Sequence, residues 1–270
     1  MSMLCRFLLL IALLLCFTGP VLAADAPIAP PTAEAQKILE KVADAYDAKD
    51  FAKARELLQP LADENDPYAT FALGLMAARG EGEPQDLQAA ESWWKKSAEA
   101  GNPQAQFNLG YLYFRGALGT PDMPKVRALW SQAAKAGHPD ALYGLGIMLL
   151  TGEGGPRDAA AGLKAFEGAA ALGHPLAEFA LAQAYLEGQG VKKDVKKGRE
   201  LLKSAADKGM PEAKAALEAL DAAAKKPAQG KQGQQKPAQK KPAQKKPAAK
   251  PEEKPAEQKP AMNWGTLPKQ

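Results

Sequence analysis

Apolar and small residues recur along the middle of the chain with a period of 36 residues. Leu73-Gly74, Leu109-Gly110 and Leu145-Gly146 keep that spacing, and Leu181-Ala182 falls next in register. Gly101, Gly137, Gly173 and Gly209 keep it too, as do Gly80, Gly116, Gly152 and Gly188. Three further series are Ala98, Ala134, Ala170 and Ala206; Asp86, Asp122, Asp158 and Asp194; and Pro67, Pro103, Pro139, Pro175 and Pro211. Several independent series in one register, with no insertion across four units, mark a stack of repeats.

The pattern inside a unit predicts two antiparallel helices. In the second unit Pro103 opens helix A, where its missing N–H costs nothing. Helix A is expected over about 103–114, followed by a Gly-rich loop. Asp122 is placed to cap helix B, because its carboxylate accepts orphan backbone N–H groups. Helix B is expected to end near Ala136, with Gly137 taking the left-handed conformation beyond it. Asn102, His138, His174 and Met210 occupy one linker position, which reads as indifferent to imidazole.

Helix A is apolar on two sides. Ala105, Leu109 and Leu112/Tyr113 form one stripe, and Phe107, Tyr111 and Phe114 another, roughly opposite. Such a helix must be covered on both sides or bind something. Stacked pairs provide cover, so no unit is stable alone. Gly74, Gly110 and Gly146 remove side chains where helices approach closely.

The motif Ala105-x-Phe107-x-Leu109-Gly110-x-x-Tyr113-x-x-Gly116, then Asp122, then Trp130-x-x-Ala133-Ala134-x-x-Gly137 resembles the Sel1-like repeat, a relative of the tetratricopeptide repeat. Ala77 and Leu149 stand where other units have Tyr113 and Tyr185, and Phe166 and Leu202 where others have Trp94 and Trp130. The resemblance implies an all-α, right-handed α-solenoid of antiparallel helix pairs. The expected plan is a Pro/Ala linker at 24–32, a tetratricopeptide-like hairpin at 33–67, four Sel1-like repeats at 68–211 and a capping helix at 212–224. The resemblance also puts the second stripe of helix A on the inner surface. Its members are Tyr68, Phe71 and Leu75; Phe107, Tyr111 and Phe114; Tyr143, Ile147 and Leu150; Phe179, Gln183 and Leu186. These either form an aromatic groove for a peptide or helix, or pack on neighbouring helices as core.

The two ends differ from the body. Arg6 precedes an eleven-residue apolar run at 7–17, Gly19 and Pro20 break it, and Val21-Leu22-Ala23 supplies small residues for cleavage after Ala23. This is the pattern of a secretory signal peptide, and it predicts a periplasmic or secreted protein that meets a membrane only in transit. Both cysteines, Cys5 and Cys16, fall inside it. The mature body therefore relies on packing, without disulfides. Residues 225–270 are rich in Lys, Pro, Ala and Gln, and such composition predicts disorder. The formal charge of +4 divides into +1 for 1–23, −6 for 24–221 and +9 for 222–270. The tail is read three ways: a binder of anionic polymers such as polysaccharide, phosphate-bearing lipid or nucleic acid; a spacer presenting Trp264 and Leu267 as a docking motif; or a solubilising segment.

Catalytic chemistry finds no support. Only His138 and His174 are available as imidazoles, and a metal-ligand pair from them is disfavoured by Asn102 and Met210 at the same position. No HExxH or GxxxxGK[ST] motif occurs, and the glycines of 80–82 and 152–155 follow helices, not strands. Cysteine-rich relatives of the Sel1-like class, associated with β-lactam binding, carry paired cysteines that this body lacks. No enzyme, cofactor or metal is expected. The expected role is an exported scaffold for envelope proteins, in settings such as control of a membrane or secretion complex, with no specific nucleic acid. The alternative is an anionic-polymer binder acting through its basic tail. A third arrangement lays Trp264 into the protein's own groove.

Overall fold

A computed structural model describes residues 28–225 of the 270-residue chain. The signal segment with its cleavage position, and the tail with Trp264 and Leu267, lie outside the described residues. The described chain is helical throughout: α1 Ala33–Asp47, α2 Phe51–Asp63, α3 Pro67–Arg79, α4 Leu87–Glu99, α5 Pro103–Phe114, α6 Met123–Lys135, α7 Pro139–Thr151, α8 Ala159–Ala171, α9 Pro175–Glu187, α10 Val195–Asp207 and α11 Pro211–Lys225. Helices α1/α2, α3/α4, α5/α6, α7/α8 and α9/α10 pair, and each pair packs on the next through α2/α3, α4/α5, α6/α7, α8/α9 and α10/α11. Packing runs mainly between sequence neighbours, which is the one-dimensional arrangement of a solenoid.

The repeated aspartates start the B helices as the spacing requires. Asp86, Asp122, Asp158 and Asp194 each accept a backbone N–H from the first turn that follows. At Asp122 the bond comes from the Lys125 amide, at 3.1 Å. Removing this cap by Asp122→Ala is expected to cost about 1 kcal/mol, whereas Asp122→Asn keeps an acceptor and most of the stability. Urea midpoints of the two variants measure the difference.

Helices α4, α6, α8 and α10 each end at a glycine in the same register, Gly101, Gly137, Gly173 and Gly209. Gly137 has φ +80, which only glycine adopts without strain. The His138 amide then donates to the Ala133 carbonyl at 3.0 Å, closing the helix end. The same bond joins Asn102 to Ser97, His174 to Ala169 and Met210 to Ala205.

Large B-helix side chains lock the pairs together. A Cβ built on Gly74 would lie 2.4 Å from the Trp94 ring, one on Gly110 2.5 Å from Trp130, and one on Gly146 2.5 Å from Phe166. In the fourth repeat the B-helix residue shrinks to Leu202, and the facing position fills to Ala182; both are fully buried. Volume is thus traded across one contact, a larger B-helix residue facing glycine and a smaller one facing alanine. Trp130 is also covered from the following unit, where a Cβ on Gly144 would lie 2.7 Å from its ring.

Candidate partner-binding face

The A helices α3, α5, α7 and α9 present two rows of half-buried residues in register. One row is Leu75, Tyr111, Ile147 and Gln183, and the other is Ala78, Phe114, Leu150 and Leu186. Tyr111 lies between Phe107 and Phe114, with ring centroids 6.4 and 6.5 Å away. Phe114 also rests on Trp130 at 5.6 Å. These rings are fixed from below and open above.

The seven candidate groove residues divide. Tyr68, Phe71, Tyr111, Phe114 and Phe179 are half-buried. Phe107 and Tyr143 are 8% and 3% exposed, so they belong to the core and cannot line an open groove. The linker residue of the next unit buries them. His138 stacks on Phe107 at 4.6 Å, and His174 stacks on Tyr143 at 4.8 Å. Phe71 and Phe179, also half-buried, are followed at that linker position by Asn102 and Met210. Tyr68 is engaged differently: its hydroxyl donates to the Ala29 carbonyl at 3.4 Å. The segment before α1 therefore lies back against the start of α3.

The linker position is not indifferent to side chain. Asn102 Oδ1 accepts the amides of Gln104 and Ala105. His138 Nδ1 accepts the Ala141 amide at 3.3 Å, and His174 Nδ1 accepts the Ala177 amide at 3.2 Å. Both imidazoles act as N-caps of the A helices, while their own backbone amides close the preceding B helices. An unprotonated Nδ1 assigns the proton of the neutral ring to Nε2. On His174 that Nε2–H donates to Asp140 Oδ1 at 3.2 Å. Asp140 Oδ2 also stands 4.0 Å from His138 Nδ1. The lone pairs that a metal would need are committed to capping. Asparagine at the same position carried the signal, since it shares this capping role.

These groups give the solenoid an acid-sensitive joint. Burial holds the His138 imidazole below its ordinary 6.5; Asp140 pulls it up, and His174 adds to the lowering. Asp140 is held below its ordinary 3.8, chiefly by the bond from His174. Burial pushes the Tyr143 phenol up to about 12. A histidine and a carboxylate with depressed folded values both leave the unfolded chain binding more protons on acidification. Their stabilisation is present at neutral pH. It is lost first as pH falls below about 6.5, the ordinary histidine value, and further through the carboxylate range. Urea midpoints should therefore fall from pH 7 to pH 5, and His138→Asn should flatten that slope.

The architecture is that of an α-solenoid of the tetratricopeptide class. The Sel1 repeat profile matches residues 47–66, 67–102, 103–138, 139–174 and 175–210, and the chain belongs to the Sel1 repeat family. The first match falls over α2, in the hairpin expected to be tetratricopeptide-like. A solved Sel1 repeat protein from Oxalobacter formigenes is 28% identical with a TM-score of 0.64, over 69% of this chain and 74% of that one. A protective antigen of uropathogenic Escherichia coli, c5321, with an SLR fold, is 29% identical with a TM-score of 0.58. That match covers 62% of this chain and 36% of the antigen, so the chain spans about a third of its length. A comparison with curated protein sequences finds no match. Sel1 repeats form protein-interaction scaffolds, and this chain is of that class.

Proposed function

We propose that the chain is an exported scaffold of the cell envelope. It receives a segment of a protein partner on the two A-helix rows and thereby assembles or controls a membrane or secretion complex. The observation that carries the reading is the alignment of Leu75, Tyr111 and Ile147 with Ala78, Phe114 and Leu150, half-buried on three successive A helices. A continuous apolar strip of this kind suits an amphipathic helix or extended segment, with anchors spaced by the repeat. Export is supported by the apolar run at 7–17 and the small residues before Ala24.

A photo-crosslinking residue at position 111, introduced in the native cell, tests the docking face. The expected result is a discrete crosslinked protein that disappears with Ile147→Asp, and no such product from exposed position 164 on α8. Equal capture from both positions would sink the docking face. Fractionation and N-terminal sequencing test export. A mature chain beginning at Ala24 in the envelope fraction supports it, and an intact N-terminus in the cytosol removes it.

A further inference from the structure

Charge is graded along the solenoid at one structural position. The stretch entering each B helix, aligned on its capping aspartate, carries −3 in residues 83–91, +1 in 119–127, 0 in 155–163 and +4 in 191–199. The last stretch sets Lys192, Lys193, Lys196, Lys197 and Arg199 against Asp194. Asp194 is committed as the α10 cap, accepting the Lys197 amide at 3.0 Å. Lys192, Lys193 and Lys196 are exposed and form no ion pair among the described residues. Lys197 lies over the Tyr185 ring, 4.2 Å from its centroid, with Nζ donating to Tyr185 Oη at 2.6 Å. Its charge is held at this edge.

Val195 sits among these cations and is 47% exposed, one of two exposed large hydrophobic residues among the described ones. Its equivalents Leu87, Met123 and Ala159 are half-buried. Helix α11 ends at the same edge. Helix α11 runs antiparallel to α10, and Arg199, in the first turns of α10, pairs with Asp221 near the end of α11. The chain beyond it, residues 226–270, carries eleven lysines and three glutamates. At the far end, residues 33–102 carry eight basic and fourteen acidic side chains.

We infer that the α9–α10 edge, with Val195 at its centre, docks on an anionic lipid bilayer. Each lysine near such a surface strengthens partitioning roughly fivefold. Val195 adds an apolar contact at the headgroup boundary, which a soluble polyanion cannot accept. The acidic first units are repelled, so the solenoid stands with its fourth repeat on the membrane and its early A helices away from it. The test of this edge does not depend on a protein partner.

The test is sedimentation of the full chain with phosphatidylcholine vesicles, with and without phosphatidylglycerol, beside retention on heparin. Wild type should bind only the anionic vesicles. The variant Lys192→Glu/Lys193→Glu/Lys196→Glu, which keeps the whole tail, should bind them at least about tenfold more weakly, with Lys→Gln at the same three positions in between. Val195→Ser, which removes the apolar contact without adding charge, should weaken vesicle binding and leave heparin retention unchanged. Circular dichroism confirms that each variant is folded. The inference is overturned if wild type ignores anionic vesicles. It is also overturned if the charge reversal leaves binding within about twofold, meaning that the tail acts alone, or if Val195→Ser lowers vesicle and heparin binding equally, meaning a site for soluble polyanions.

Discussion

Trp130→Ala is expected to lower the free energy of unfolding by about 3–5 kcal/mol. The indole is 1% exposed and bridges two units. It stacks on Phe107 at 5.8 Å, meets Phe114 at a tilt at 5.6 Å, and fits between Gly110 of α5 and Gly144 of α7. Its Nε1–H donates to the Phe107 carbonyl at 3.2 Å. Truncation leaves a cavity that backbone on both sides prevents from collapsing, and it loosens the floor beneath the Tyr111 and Phe114 rings. Because a solenoid is held by nearest-neighbour interfaces, the loss should also separate the unfolding of the early units from the late ones. Guanidinium unfolding followed by circular dichroism should show a lower midpoint and a shallower transition. A shift worth less than about 1 kcal/mol would mean that this contact is not a principal joint.

The second large effect is a difference in sign. Gly110→Ala is expected to destabilise by about 1–3 kcal/mol, although alanine is the better helix former by about 1 kcal/mol. The new Cβ would stand 2.5 Å from Trp130 Nε1 and 2.6 Å from its Cδ1. The indole cannot retreat, because Gly144 closes its other side. Gly168→Ala, in α8, places its Cβ 3.4 Å from the nearest Leu142 atom, an ordinary contact. That variant should gain up to about 1 kcal/mol from helix propensity alone. Thermal unfolding of the two variants, side by side, measures the contrast. Stabilisation at both positions would contradict the interlock.

Most of the architecture was legible because repetition amplifies weak signals. A single Asp before a helix says little, but Asp86, Asp122, Asp158 and Asp194 in one register predict four caps, and all four are made. Glycine at positions 74, 110 and 146, facing Trp94, Trp130 and Phe166, likewise announced close helix approach. The face of helix A was legible only in part. Phe71, Phe107, Tyr143 and Phe179 share one position and one kind of side chain, yet two are buried and two half-buried. The difference lies 31 residues later, where His138 and His174 provide a flat ring to stack and Asn102 and Met210 stand in the other two units. Periodicity within a helix carries no trace of that contact. The imidazole caps were missed for a related reason. Variation among Asn, His and Met looked like tolerance, whereas two of those three side chains perform the same bond.

Burial of Phe107 and Tyr143 sharpens the proposed docking face. The stacked pairs Phe107–His138 and Tyr143–His174 make a rigid floor, and the partner would meet Tyr111, Phe114, Ile147 and Leu150 above it. Acid should loosen this floor through His138 and Asp140 before the rest of the chain unfolds.

The most direct test of the scaffold reading is amide hydrogen exchange of the full chain, alone and with the protein captured from position 111. The account predicts slower exchange in α3, α5, α7 and α9 on binding, centred on the turns that carry Leu75, Tyr111, Ile147 and Leu186, with α4, α6 and α8 unchanged. Slowing confined to the B helices, or to residues 226–270, would contradict it.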